Sequence, residues 1–246
     1  MEEKQTIIAG RKPVLDALTS EVLIDKILLQ NGVQSDFEKE IQELVEGKNI
    51  TIQMVPRETL NRLTKSNHQG VVAYTALIQY NDPSFLQEYI DQKEGNLLFL
   101  ILDGITDVRN FGAIARSAEC FGVDAIIISQ NKQARLNEEA IKTSAGALLK
   151  IPLVRAKNLS EAFEILKSNE VKIVAGTLSS DRKLADISFE GSAAIILGAE
   201  DKGVSKESLK WAEERFVIPQ KGRTQSLNVS VAAGVILYEA RRSFFA

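Results

Sequence analysis

Along the first 80 residues the apolar positions change period often, which marks short alternating elements. A helix is expected to begin near Pro13, a residue suited to a first helical turn, and residues 22–29 read as a strand. Ser35 and Glu38 have capping-box spacing ahead of Phe37, Ile41, Leu44 and Val45, with Gly47 as the stop. A strand at 50–55, a helix at 57–63 and a strand at 71–78 follow. Asn81-Asp82-Pro83 breaks the pattern, and the polar, helix-prone residues up to Gly95 read as a linker.

From Asn96 the texture changes. Near-continuous apolar runs at 97–102, 125–129, 151–154, 171–177, 193–197 and 216–218 are separated by helical patterns at 111–121, 138–148, 161–168, 206–214 and 227–242. Strands without polar alternation are buried on both faces, and their regular exchange with helices predicts a parallel sheet. The expected fold class is therefore α/β, with a small domain at 1–80, a linker at 81–96 and a parallel-sheet domain at 97–246.

Composition narrows the chemistry. The chain has 246 residues, 44% hydrophobic and 26% charged, as in ordinary globular proteins. One cysteine, Cys120, excludes an internal disulfide, and with a single histidine, His68, it excludes a zinc site built of Cys and His. No apolar run approaches a membrane span, and the opening MEEKQT lacks the apolar segment of a signal peptide. A cytoplasmic protein with neither membrane nor metal partner is expected. The net charge of −3 is unevenly spread: residues 1–95 hold 10 basic and 15 acidic side chains, residues 96–246 hold 20 and 18. The second part is the better suited to an anion.

Open parallel sheets bind ligands beyond the carboxyl ends of their strands, and three loops there are distinctive. The first runs from Asp103 through Asn110 into a helix of small residues, Gly112, Ala113, Ala115 and Ala118, that admits another backbone closely; Arg116 sits two turns beyond Asn110. On spacing alone, Arg116 is expected to pair with Glu119 or Asp103 on a solvated face. The second, Gly198-Ala199-Glu200-Asp201-Lys202-Gly203-Val204-Ser205, resembles a P-loop but has Val204 where phosphate chemistry needs lysine. Its ordinary reading is a glycine turn with Ser205 as the N-cap of the next helix. The third, residues 218–234, is a basic loop with Lys221 and Arg223 that enters a helix through Ser226, Asn228 and Ser230, a start suited to a carboxylate or phosphate. No G-x-G-x-x-G follows a strand, which argues against a dinucleotide-dependent oxidoreductase.

These three segments, in this order, resemble the signature motifs of the SpoU/TrmH family of RNA ribose 2′-O-methyltransferases, within the SPOUT superfamily. The resemblance covers about residues 97–242. The stretches Ile8-Ala9-Gly10-Arg11-Lys12-Pro13-Val14 and His68-Gln69-Gly70-Val71 resemble the substrate-binding domain of members that act on a guanosine of 23S ribosomal RNA. Asp201 stands where the family more often has Gly, and Val108-Arg109 where Pro is common. The resemblance implies an α/β fold ending in a deep trefoil knot, a device otherwise essentially absent from protein folds. It implies S-adenosyl-L-methionine against Thr177, Leu178, Gly198, Ile218, Gln220, Ser226 and Leu227, Gly198 admitting the ligand because it lacks a side chain. Asn110, Arg116, Glu200, Ser226 and Asn228 would surround the acceptor ribose, and Lys221 and Arg223 would meet RNA phosphates. It also implies a homodimer in which Arg116 helps complete the neighbour's site. The first domain would select the RNA through Arg11, Lys12 and the loop 65–69, where His68 is either a base-stacking ring or a hydrogen-bonded turn residue. Ribosomal RNA is the favoured substrate. A transfer RNA methyltransferase and a catalytically idle RNA-binding module are the alternatives.

Overall fold

The computed structural model describes residues 7–242 except 21, 49, 76–77, 131–133, 135 and 224–225. The first six residues, part of the expected 71–78 strand and the tip of the basic loop therefore lie outside the described residues. The chain divides into two compact units between Gln79 and Tyr80.

The first unit is built of β1 (Ile7–Ala9), α1 (Arg11–Thr19), β2 (Ile24–Gln30), α2 (Ser35–Val45), β3 (Thr51–Val55), α3 (Arg57–Leu63) and β4 (Val71–Thr75). Its four-stranded sheet has the order β1-β4-β2-β3, antiparallel except for the β2–β3 pair. Side chains alternate across a strand. Ile27 and Leu29 accordingly meet Val14, Leu18 and Ile41 of α1 and α2 on one face, and Leu28 meets Leu60 of α3 on the other. Pro13 lies in the first turn of α1, where its missing N–H costs nothing. The capping box expected at Ser35 does not form, because α2 starts one residue earlier, with Gln34 in the cap position and no side-chain cap bond.

The second unit contains β5 (Tyr80–Asn81), α4 (Ser84–Gln92), β6 (Leu98–Asp103), α5 (Val108–Cys120), β7 (Ala125–Ser129), α6 (Glu138–Thr143), β8 (Leu153–Ala156), α7 (Leu159–Ser168), β9 (Lys172–Gly176), β10 (Ala193–Gly198), β11 (Glu214–Phe216) and α8 (Val229–Arg241). The seven strands are all parallel, in the order β11-β9-β10-β6-β7-β8-β5. Leu86 of α4 and Phe163 and Leu166 of α7 cover one face, over Phe99, Ile101, Ile127 and Ile196. Helices α5 and α8 pack together, burying Phe111, Ile114, Ile236 and Leu237.

Two expectations differ from this structure. The stretch read as a linker is part of the second unit: Tyr80 pairs with Leu153, and Leu86 is fully buried. Its apolar positions, Phe85, Leu86, Tyr89 and Ile90, are spaced three or four apart and give α4 a core-facing stripe. The helix expected at 206–214 is a single 3₁₀ turn, Ser208–Lys210, and the chain is then extended. Trp211 stacks on Phe163 at 5.6 Å and Phe216 is buried in the β9 ladder, so tertiary packing overrides local helix preference.

Candidate active site

All three loops singled out in the sequence leave the carboxyl ends of strands on the same side of the sheet. Asp103 and Gly198 close β6 and β10 in register with each other. Asp103 Oδ2 accepts the Ser205 amide at 2.8 Å and so fixes the far end of the second loop. Ser205 Oγ accepts from Ser208 N at 3.1 Å, although the short 3₁₀ turn that follows has Glu207, not Ser205, in its cap position. Asp107 caps α5 by accepting the Asn110 amide at 2.8 Å, and Asn228 caps α8 by accepting the Ser230 amide at 2.9 Å.

These anchors bring three predicted residues into one cluster. Asn110 Nδ2 donates to Glu200 Oε1 at 3.0 Å, Asn228 Nδ2 donates to the same oxygen at 2.7 Å, and Asn228 Nδ2 also reaches Asn110 Oδ1 at 3.1 Å. Ser230 adds a hydroxyl bond of 2.6 Å to Asn228 Oδ1, which sets the carboxamide with its nitrogen toward Glu200. Two amides on one carboxylate oxygen form a clasp joining residues 90 and 118 positions apart in sequence.

Beside the clasp lies a cleft of about 510 Å³, within the range of about 300–1,000 Å³ usual for small-molecule sites. All seven residues expected to hold the cofactor line it: Thr177, Leu178, Gly198, Ile218, Gln220, Ser226 and Leu227. Phe216, Val229 and Ile236 give it apolar walls that composition could not have located. A smaller hollow of about 170 Å³ opens between Thr106, Asp107, Asn110 and Glu200. Glu200 lines both spaces and stands at their boundary.

The glycine at 198 serves the chain itself. A Cβ there would sit 2.0 Å from the Gly203 carbonyl carbon and 2.1 Å from Val204 N, because the loop folds back with Gly203 N on Ala199 O at 2.7 Å. The close approach expected toward a ligand is made by the protein's own backbone. Likewise Gly112 admits α6 of the same chain, its virtual Cβ lying 2.8 Å from Ala140 O.

Arg116 is exposed on α5 and lines neither space. The pairing expected from its spacing is not formed. Glu119 pairs with Lys150 at 3.1 Å, Asp103 is engaged with the Ser205 amide, and Arg116 has no ion-pair partner among the described residues. Ser226 lines the cleft but takes no part in the clasp. Lys221 and Arg223 are exposed.

In the first unit Lys12 is exposed, whereas Arg11 is anchored: Nη1 donates to Gln34 at 2.8 Å, Nε to the Gln69 carbonyl at 3.3 Å, and the guanidinium lies 4.7 Å over Phe37. His68 is 6% exposed, which leaves no face for a base. Of the two roles open to it, it takes that of the hydrogen-bonded turn residue.

Sequence reasoning passed over Asp107 and named Ser230 only as a hydrogen-bonding group in the opening turn of the last helix, without its bond to Asn228. The signal for Asp107 was its N-cap spacing to Asn110. Among the described residues, no group of three His, Cys, Asp or Glu side chains converges on a point, and no helix is long and apolar enough to cross a membrane.

Residues 97–238 match the SpoU rRNA Methylase family, and residues 7–81 match the RNA 2′-O ribose methyltransferase substrate binding family. A TrmH family tRNA/rRNA methyltransferase from Staphylococcus aureus (strain COL) is 34% identical over 239 residues, 97% of this chain and 96% of the relative. The fold is that of an AdoMet-bound rRNA methyltransferase from Sinorhizobium meliloti (TM-score 0.62, 24% identity, 99% of this chain and 89% of that one). It is also that of AviRb from Streptomyces viridochromogenes, a SpoU methyltransferase in complex with AdoMet (TM-score 0.63, 21% identity, 98% and 90%). With both domains matched over nearly their whole lengths, the chain belongs to the SpoU/TrmH family of RNA 2′-O-ribose methyltransferases.

Proposed function

We propose that the protein transfers a methyl group from S-adenosylmethionine to a ribose 2′-hydroxyl of RNA, with a guanosine of 23S ribosomal RNA as the acceptor. The clasp of Asn110, Glu200 and Asn228 at the boundary of two adjoining spaces carries this reading, because a group-transfer enzyme needs a donor site and an acceptor site that meet at controlled geometry. The cleft fits the donor in size and in its mixture of apolar walls with the polar side chains of Thr177, Gln220 and Ser226. AdoMet is the cofactor of both proteins whose fold it shares. The bound sulfonium supplies an activated methyl group together with its own leaving group.

The protein's part is then to orient the acceptor oxygen and manage its proton. Glu200 Oε1 is saturated by two amides, and Oε2 has no hydrogen-bond partner among the described residues. It faces the acceptor as an oxygen able to take the hydroxyl's hydrogen bond. Arginine is too weak a base for that task, because its guanidinium holds its proton throughout the working pH range. Arg116 instead holds an RNA phosphate and stabilises charge developing on the ribose oxygen. Lys221 and Arg223 continue the phosphate contacts.

Arg116 acts from a second copy of the chain. Val231, Val235 and Tyr238 are exposed on α8 at helical spacing, a stripe suited to pairing two copies. The trefoil thread belongs to the same reading. After β10 the chain crosses to the outer side of β9 to form β11 and then returns to pack α8 on α5, an order that supports this thread.

Labelled S-adenosylmethionine, purified protein and RNA from cells lacking the gene test the function, with modified nucleotides mapped by mass spectrometry. Label in a 23S guanosine 2′-O-methyl group is expected. Label in transfer RNA would favour the other class in the relatives' names, and label in neither would overturn the reading.

A further inference from the structure

The hollow of about 170 Å³ beside the clasp is rich in hydrogen-bond acceptors. Its polar side chains are Thr106, Asp107, Asn110, Glu200 and Asp201, and among the described residues no Lys or Arg lines it. Carboxylates repel a phosphate, so the group that enters is uncharged and rich in donors. Most of these side chains are already committed. Asp107 Oδ1 accepts the Asn110 amide, Asn110 spends its nitrogen on Glu200 and its oxygen on Asn228, and Glu200 Oε1 holds both carboxamides.

Asp201 is the exception. It accepts no hydrogen bond among the described residues, and its 4.0 Å contact with the neighbouring Lys202, between two exposed side chains, is too loose to occupy it. Its place in the fold is nevertheless fixed. The loop closes beneath it through Gly203 N on Ala199 O at 2.7 Å, and the Ser205 amide on Asp103 pins the far end. Asp201 lines the donor cleft as well as the hollow, so it stands with Glu200 where the two spaces meet. Its φ is negative, and the turn itself therefore makes no demand for glycine. The family more often has Gly at this position, which makes the carboxylate an addition of this chain.

We propose that Asp201 selects guanosine by accepting the N1–H and N2 amino donors of the acceptor nucleotide's own base. The role rests on the RNA-methylating function proposed above. Of the four RNA bases only guanine sets two donors side by side on its Watson–Crick edge, and a carboxylate takes them as the fork it offers to arginine. Adenine, cytosine and uracil each place an acceptor beside their donor there, so a carboxylate oxygen would face a lone pair. An unpaired nucleotide exposes this edge. The N2 amino group lies on the same side of guanosine as the 2′-hydroxyl, which suits carboxylates on consecutive residues: Glu200 meets the ribose and Asp201 the base. A site built to hydrogen-bond a donor rejects analogues that lack it far more strongly than an apolar pocket does.

The test uses the full chain and short RNAs that carry guanosine, inosine or adenosine at the mapped acceptor position. Inosine keeps N1–H and lacks the N2 amino group. With the wild-type protein, inosine should lower kcat/KM by about tenfold or more and adenosine by more still. Asp201→Asn should lower kcat/KM for guanosine by about tenfold to a hundredfold and bring inosine within about twofold of guanosine. Its affinity for S-adenosylmethionine and its melting temperature should stay at the wild-type values. A merely structural loss would slow guanosine and inosine alike and leave their ratio as in the wild type, which would overturn the proposal. Weaker S-adenosylmethionine binding with that ratio unchanged would give the carboxylate to the donor and overturn it too. An acceptor mapped to adenosine, cytidine or uridine would overturn this inference alone, since methyl transfer would stand. A wild-type protein that methylates no RNA would overturn the functional reading beneath it.

Discussion

The Asn228 carboxamide caps α8 through its oxygen and holds Glu200 through its nitrogen, 2.7 Å from Oε1. One side chain thus couples the start of the last helix to the loop after β10. Asn228→Asp keeps the cap but sets a second carboxylate against Glu200. Methyl transfer should fall by about a hundredfold or more, while the melting temperature stays close to wild type. Asn228→Ala should lose activity as well and be about 1 kcal/mol less stable through the lost cap. Steady-state kinetics beside thermal melts separates the two effects, and near-normal turnover in the Asp variant would remove Asn228 from the machinery.

Gly198→Ala tests whether the glycine is needed by the loop. The added methyl would overlap the Gly203 and Val204 backbone, and overpacking of this kind costs about 1–3 kcal/mol. A lower melting temperature is expected even with no cofactor present. If stability were unchanged and only S-adenosylmethionine affinity fell, the glycine would be serving the ligand.

Arg116→Ala should leave the melting temperature unchanged, because the side chain is exposed and unpaired among the described residues, yet abolish methyl transfer. Mixed with Asn228→Asp chains, it should regain activity in heterodimers that carry one intact site. Val235→Glu, on the exposed face of α8, should yield a monomer in light scattering and lose activity. A wild-type monomer, or an active Val235→Glu monomer, would sink the assembly.

The division between units predicts where the chain can be cut. A fragment beginning at Tyr80 should fold, bind S-adenosylmethionine and fail to methylate a 23S transcript. A fragment beginning near Gly95 loses α4 and uncovers the core that Leu86 seals, so it should aggregate or melt at lower temperature. Equal stability of the two fragments would return residues 80–95 to the status of a linker.

The central strands were legible because a buried parallel strand can be little other than apolar. Residues 125–129 read as a strand and form β7, the run at 97–102 is shifted from β6 by one residue, and the run at 193–197 falls one residue short of the end of β10. The motif residues were legible as types, since Asn110, Glu200 and Asn228 are polar groups at strand ends and helix starts. What stayed hidden was set by partners distant in sequence. Glu214, at the end of the stretch read as a helix, becomes strand because Val174 of β9 accepts it, and α4 becomes core because α7 faces it. Arg11 looked like a free cation because nothing in its own segment announces Gln34, Phe37 and Gln69. The loop's own need for a glycine at 198 stayed hidden because a sequence does not show a loop closing on itself.

The strand order has a consequence for the timing of synthesis. The cleft takes its walls from residues 176–179, 197–206, 216–220 and 226–236, whereas the sheet's centre, β10-β6-β7-β8, is complete once residue 198 has emerged. A nascent chain can therefore bury most of its sheet while the cleft still lacks Phe216, Ile218, Val229 and Ile236. Folding from the N-terminus outward proceeds domain by domain, and here it leaves the cleft to be finished by the residues from Phe216 onward as they leave the ribosome.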